Sequence, residues 1–315
     1  MTRATTVLIT GASAGLGLAI SRALIGTECQ LYLTARESSI PRFAMHDVHE
    51  SERVRIRPLD VTSAEQREAI VEEVERDAGG VDVLINNAGT TYRAVVEHVT
   101  EQDRMAQLDV NFRSPMELIR LVLPGMRNKR AGRIITVSSV GGMMAMPTMA
   151  AYSASKFALE GAHESLWYEV RPWGIKVTLV QPGFIDSDGF QKVRYTPKSD
   201  RSEHELAEPY HEHYVNMGPF IARLMRSSSA TPESVARVVI RTMRRSNPPL
   251  RVPATADARV FSALRRLLPR STYHWLLYKM LPNVKLWGPS DKRVSSLPPA
   301  ALPSPATPKD AMRED

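Results

Sequence analysis

Tyr152 and Lys156 stand four residues apart in the segment Met149–Lys156, M-A-A-Y-S-A-S-K, with Ser139 upstream of it. On a helix that spacing puts both side chains on one face, one turn from each other. A free phenol titrates near 10 and is a poor base at neutral pH. An ammonium one turn away favours the phenolate and draws it toward the working range. Ser139 can hydrogen-bond the oxygen that Tyr152 protonates or deprotonates. The three together suit moving a proton on and off a hydroxyl or carbonyl oxygen. Taken alone, Tyr-x-x-x-Lys is also what chance places on a helix surface. Yet of nine tyrosines only Tyr152 has a lysine four residues on, so the positioning elements have to decide.

Thr6–Thr10 is a short, apolar, β-branched run that reads as a buried strand. It leads into Gly11-Ala12-Ser13-Ala14-Gly15-Leu16-Gly17 and then a helical pattern. Strand, glycine turn and helix together aim a helix N-terminus and free backbone N–H groups at a phosphate. The spacing is G-x-x-x-G-x-G, and no Gly-Lys-Ser/Thr follows, which argues against an NTPase. A purely structural turn is the alternative. Gln30–Ala35 is the second strand and ends at Arg36. An acid there would grip ribose hydroxyls, whereas a guanidinium suits a ribose 2′-phosphate. Arg36 therefore favours NADP(H) over NAD(H), unless it is an ordinary surface residue.

Further strands are expected at Val54–Leu59, Val81–Ile85, Gly132–Ser139, Ile175–Val180 and Leu250–Pro253. The third is closed by Asp60-Val61-Thr62, with Thr62 or Ser63 placed to cap the helix Ala64–Asp77. The fourth ends in Asn86-Asn87-Ala88-Gly89, where small residues leave room for a ligand. Glu101–Met126 reads as one long helix carrying Asn111, which is either buried with partners or simply exposed. The tyrosine helix runs to about Val170, before Pro172. Strand and helix alternation implies a parallel, doubly wound sheet. The glycine turn, Arg36, Asp60, Asn86–Gly89, Ser139 and Ile185 all fall at strand C-terminal ends, where such sheets bind ligands.

The chain has 315 residues, a net charge of +7 and one cysteine, Cys29, which excludes an internal disulfide. A reducing compartment, by default the cytoplasm, is expected. No run of about 18 apolar residues suggests a spanning helix, and the N-terminus enters a strand without a signal-like segment. The arginines lack the aromatic interleaving of a nucleic-acid platform, so no nucleic acid is expected. His46 and His49 beside Asp47, and His204, His211 and His213, read as solvated residues rather than metal ligands.

With T-G-A-S-A-G-L-G from Thr10, N-N-A-G from Asn86, Asn111, Ser139, Tyr152-x-x-x-Lys156 and Pro182-Gly183 in this order, the chain resembles the short-chain dehydrogenase/reductase family from roughly Thr5 to Val252. The resemblance implies a Rossmann-like sheet of about seven strands in one domain, residues 1–254, with a C-terminal helical extension. It implies Tyr152 as the acid/base and Lys156 on the nicotinamide ribose, lowering the Tyr152 pKa. Ser139 would orient the carbonyl, and Asn111 would hold a water linking Lys156 to solvent. Cofactor contacts are implied at Gly11, Ser13, Gly15, Leu16, Gly17, Arg36, Asp60, Val61, Asn87, Tyr152, Lys156 and Ile185. Ser187 stands where many members carry threonine.

The expected activity is NADP(H)-dependent interconversion of a hydrophobic ketone or aldehyde and its alcohol. Steroid-, retinoid-, fatty-acyl- and polyketide-like substrates all fit. The alternative is a non-catalytic NADP(H)-binding regulatory or scaffold protein on the same fold. Residues 186–230, with Phe190, Tyr195, Tyr210, Tyr214, Met217, Phe220 and Met225, should select the substrate opposite Met143, Met144 and Met146. Residues 255–287 read as two short basic, aromatic helices that lie on a membrane surface, cover the cleft or pack on a partner subunit. Residues 288–315 read as a disordered Pro/Ala-rich tail. A homo-oligomer, a dimer rather than a tetramer, is expected through the long helices Glu101–Met126 and Ser153–Val170.

Overall fold

The computed structural model describes residues 4–185 and 193–288. Asp186, Ser187, Phe190 and the tail from 289 onward lie outside the described residues. The strands are β1 (Thr6–Ile9), β2 (Gln30–Ala35), β3 (Val54–Pro58), β4 (Val83–Asn86), β5 (Gly132–Val137), β6 (Ile175–Gln181) and β7 (Arg251–Pro253). They form a seven-stranded sheet in the order β3-β2-β1-β4-β5-β6-β7, and each neighbouring pair is parallel. The chain reverses its direction of travel across the sheet between β1 and β4. That is the switch point at which open α/β sheets form a crevice.

The inner strands such as β1 and β4 are buried on both faces, which is why they read as continuous apolar runs, while the edge strands β3 and β7 are partly exposed and carry arginines. Along β1, Val7 and Ile9 face one layer and Leu8 the other, as the two-residue period of a strand requires. The first layer is closed by α1 (Gly15–Ile25) and α9 (Pro232–Arg244), through Ile20, Leu24, Val235 and Val239. The second is closed by α3 (Ala64–Ala78), α5 (Ser114–Lys129) and α6 (Ala150–Val170), through Ile70, Val74, Leu118, Val122 and Leu166. Ser63, not Thr62, caps α3 by accepting from Gln66 N, and Gly79 at φ 66° ends it. The short α2 (Pro41–Met45) occupies the segment after Arg36.

The stretch expected as one helix from Glu101 to Met126 is interrupted. α4 (Glu101–Leu108) passes through a π-helical turn at Asp109–Arg113 before α5 begins. The turn admits one extra residue and swings Asn111 into the interior, where it is 1% exposed. The remaining helices build the rim above the strand ends. They are α7 (Pro197–His204), α8 (His211–Arg226), α10 (Ala256–Leu267) and α11 (Arg270–Met280). Strand ends differ from the sequence expectation by one or two residues, since termini carry the weakest signals.

Candidate active site

β5 releases the chain two residues before Ser139, and α6 carries Tyr152 and Lys156 one turn apart on its inner side. The Ser139 and Tyr152 side chains line one cleft, close enough for the Ser139 hydroxyl to act on the phenol. Ser139 Oγ accepts Gly141 N at 2.9 Å, which fixes its rotamer. A methyl group at Gly141 would come within 2.7 Å of Tyr152 Cε1, so the glycine lets the turn lie against the ring. Lys156 Nζ donates to Val137 O at 2.9 Å and stands 6.0 Å from the centre of the Tyr152 ring.

Electrostatics correct one expectation. Burial pushes the Tyr152 phenol above its ordinary value, and the nearby Ser139 hydroxyl only opposes this in part. The expected lowering by Lys156 is not what this geometry produces. Lys156 is itself buried, and desolvation pulls it down to about 8 against the opposing field of Glu160. At neutral pH the site therefore pairs a protonated phenol with an ammonium, and a protonated phenol is a proton donor.

Asn111 ties three segments together. Its Oδ1 accepts Thr90 N at 2.8 Å, while Nδ2 donates to Thr90 O at 2.9 Å and Ser155 Oγ at 3.0 Å. Ser155 Oγ in turn donates to Tyr152 O at 2.7 Å. The side chain thus braces the loop after β4 against the turn of α6 that bears the tyrosine. Both amide donors are engaged, which leaves an Oδ1 lone pair as its remaining side-chain capacity.

The glycine turn fits a dinucleotide. Gly11 adopts φ 64°, and a Cβ there would lie 2.9 Å from Ala88 Cα. A Cβ at Gly17 would fall onto Gly11 O, whereas one at Gly15, φ 51°, would meet nothing within 4 Å. The first and last glycines close the turn, and the middle one borders open space. Ala14, the N-cap of α1, offers no side-chain cap. The N–H groups of the first turn are therefore left for a ligand, with the helix dipole behind them. Asn87 Nδ2 holds the turn from across the crevice, donating to Thr10 O and Gly11 O, both at 3.0 Å. Ser13 and Val61 are buried, Leu16, Asn87 and Ile185 half-buried.

Arg36 is exposed beside a cavity of about 640 Å³ lined also by Ser38, Arg57, Asp60 and Gln66. Arg57 is engaged by Glu73 at 2.6 Å and Glu50 at 2.7 Å. Arg36 has no such ion pair among the described residues. Burial raises the Asp60 carboxyl, but hydrogen bonds from the Thr62 hydroxyl and N–H, with the Arg36 guanidinium, outweigh it and keep the acid ionised.

Beyond Tyr152 the crevice narrows to a small cleft between Ser139, Met149, Gly183, Phe184 and Met225. Met146 and Phe184 line both this cleft and a cavity of about 630 Å³. That cavity is largely apolar and is walled by Met144, Met217, Phe220, Phe261 and Leu277. The Met143–Met149 segment and α8 are thus the two walls expected from sequence. The C-terminal helices form a third. Tyr273 is buried against Val140, Met143 and Met144, and the Arg265 guanidinium donates to Met143 O. Asp257 Oδ2 accepts Phe184 N at 2.8 Å, and Thr255 Oγ1 accepts Gly183 N at 2.9 Å.

A profile described as short chain dehydrogenase matches residues 5–198. The chain is 34% identical over 275 residues to a 3-ketodihydrosphingosine reductase of Bacteroides thetaiotaomicron, covering 86% of this chain and 96% of the relative. It is 31% identical to human 17-beta-hydroxysteroid dehydrogenase type 1, covering 78% and 76%. The fold superposes with a TM-score of 0.73 on a short-chain dehydrogenase from Streptomyces avermitilis, at 29% identity over 88% of this chain and 98% of that one. The chain belongs to the short-chain dehydrogenase family. It is a nicotinamide-dependent oxidoreductase acting on CH–OH and C=O groups.

Sequence reasoning passed over Gly141, Thr255, Asp257 and Arg265. The glycine pair after Ser139 was a usable signal, but the other three act only through tertiary contact. His211 and His213, read as solvated, are half-buried. His211 Nδ1 bonds Ser202 O at 3.0 Å, and the His213 ring lies 4.5 Å from that of Trp287. Buried His98, unremarked in the sequence, stacks on Tyr214, with its Nδ1 3.0 Å from the phenol. This pair fastens α8 to the core. No group of three or more metal-ligating side chains occurs among the described residues.

Proposed function

We propose that the protein is an NADP(H)-dependent reductase of a hydrophobic ketone or aldehyde, and in reverse a dehydrogenase of the alcohol. The placement of Ser139 and Tyr152 in one cleft carries the reading, because that cleft shares two walls with the large apolar cavity. The bound nicotinamide supplies or accepts a hydride at the carbonyl carbon. Ser139 orients the carbonyl oxygen and Tyr152 donates its proton to it. Lys156 seats the ribose and supplies positive charge as the phenolate forms. Asn111 braces Tyr152 and offers its remaining lone pair to a water toward Lys156. Ser187, if it serves the carboxamide and phosphates, keeps the hydroxyl of threonine. The names of the two relatives point to the same apolar substrate class.

NADP(H) rests on Arg36, an exposed guanidinium just past the end of β2 that has no ion pair among the described residues. Purified protein is expected to oxidise NADPH in preference to NADH with pooled hydrophobic ketones and aldehydes. Arg36→Asp should reverse that preference by about ten- to a hundredfold, the weight of a charge-assisted hydrogen bond. A wild type that prefers NADH would remove this reading of Arg36 and leave the proton-transfer set standing.

The same proposal includes a homodimer through α4–α5 and α6, where Met105 and Tyr168 are exposed. It also includes membrane contact through residues 255–287. Leu267, Trp275, Tyr278 and Met280 are exposed there beside Arg266, Arg270 and Lys279. Tyr278 and Met280 also border the cavity, so its mouth meets that face. Among the described residues no helix is long and apolar enough to cross a membrane. Surface adsorption on anionic lipid is the fitting mode. The protein should co-sediment with phosphatidylserine-containing vesicles in low salt, and Trp275→Ser with Leu267→Ser should weaken this. Wild type left in the supernatant would dismiss the contact. Deleting the helices is a poor substitute, since they carry buried Tyr273.

A further inference from the structure

We propose that Glu160 is a positioning residue of the active site: it is the buried counter-ion that keeps Lys156 charged, and its strength is set by Arg251 on the last strand. The inference rests on the assignment of Lys156 to the proposed reaction. Glu160 follows Lys156 by four residues on α6, one turn along the same face, and each is only 6% exposed. A carboxylate so enclosed persists only with partners. It has two direct partners, Gln181 Nε2 donating to Oε1 at 3.0 Å and Arg251 Nε donating to Oε2 at 2.8 Å, while Lys156, bonded to Val137 O, feels it through space one turn away.

Arg251 is shared. Its Nη2 also donates to Glu164 Oε2 at 2.6 Å. One guanidinium between two carboxylates leaves a net charge of −1, and Lys156 supplies the balancing cation. The cluster is neutral only while Lys156 is protonated. Arg251 and Glu164 lie at the half-exposed edge, where solvent screens them, so the weight of that balance falls on the buried pair Lys156 and Glu160.

The groups facing Lys156 from other elements do not provide it. β5 offers the neutral carbonyl Val137 O, and β6 the neutral amide of Gln181, which is bonded to Glu160. Along α6, Tyr152 is a neutral phenol. Buried His163 is held neutral at about 4 by desolvation, with the Lys156 charge also opposing its protonation and a hydrogen bond from its Nδ1 to Leu159 O resisting. The field of Glu160 opposes the desolvation that would otherwise discharge the lysine. The site's proton balance is thus tuned from the edge of the sheet.

The test needs no substrate, so it stands apart from the proposed reaction. The full chain is labelled with carbon-13 at lysine Cε and titrated by NMR, with the Lys156 signal identified by its loss in Lys156→Met. Glu160→Gln should move the Lys156 midpoint down, and Arg251→Gln should move it up. Opposite displacements are the signature, because loosened packing would move both the same way. Unchanged midpoints, or displacements of one sign, overturn the proposal. If Glu160→Gln does not fold, Arg251→Gln decides alone: an upward shift supports the inference, and anything else rejects it. Failure to turn over any carbonyl in the activity assay, with the two midpoints moving apart, would reject the reaction and leave the counter-ion role intact.

Discussion

Tyr152→Phe is expected to lower turnover by about a hundred- to ten-thousandfold, the usual contribution of a positioned general acid. The variant deletes one oxygen and keeps the ring. That ring lies where Gly141 leaves room for it, so packing in the cleft is unchanged. NADPH binding, read by cofactor fluorescence, should stay within a few-fold of wild type, because the glycine turn and Arg36 are untouched. Burial holds the phenol above its ordinary value. Carbonyl reduction, which uses the protonated form, should therefore persist through neutral pH and decline only in the alkaline range. Alcohol oxidation, which uses the phenolate, should rise with pH over the same interval. Activity in the variant within tenfold of wild type would mean that another group delivers the proton.

The parts of this site legible in the sequence were those fixed by chain-local rules. The inner strands are apolar runs, so their C-terminal ends could be located, and Ser139, Asn87, Arg36 and Ile185 stand at or past such ends. Tyr152 and Lys156 share a helix face by spacing alone. The unread parts depend on what the chain meets in space. Nothing in D-V-N-F-R distinguishes a π turn from ordinary helix, yet that turn moves Asn111 from surface to interior. The direction of the Tyr152 shift was misjudged because spacing reports the ammonium and not the desolvation. The basic, aromatic helices after β7 left membrane, cleft and partner equally open. Tyr273, Arg265 and Asp257, docking on the segments after Ser139 and Pro182, show that these helices wall the large apolar cavity while leaving their outer face exposed.

Lys156→Met should separate activity from stability. Activity is expected to fall by a hundredfold or more on the scale of a lost electrostatic partner, since methionine can neither bind a ribose hydroxyl nor support a forming phenolate. Thermal stability near pH 7 should not fall with it. Moving Lys156 from 10.5 to about 8 means that the folded state carries a penalty of about 3 kcal/mol for holding this charge, at 1.36 kcal/mol per pH unit. The unfolded chain binds the proton more tightly, so the penalty is full below pH 8 and fades as pH rises toward 10.5. Wild type should therefore gain stability from this group between pH 8 and 10.5, and the variant should lack that slope. Methionine fills a similar volume without a charge, while Val137 O loses its donor and Glu160 keeps Gln181 and Arg251. Denaturant midpoints measured at pH 7 and pH 9.5 resolve the two terms. If the variant is markedly less stable at pH 7, Lys156 is a net structural tie, and the burial penalty assigned to it here is wrong.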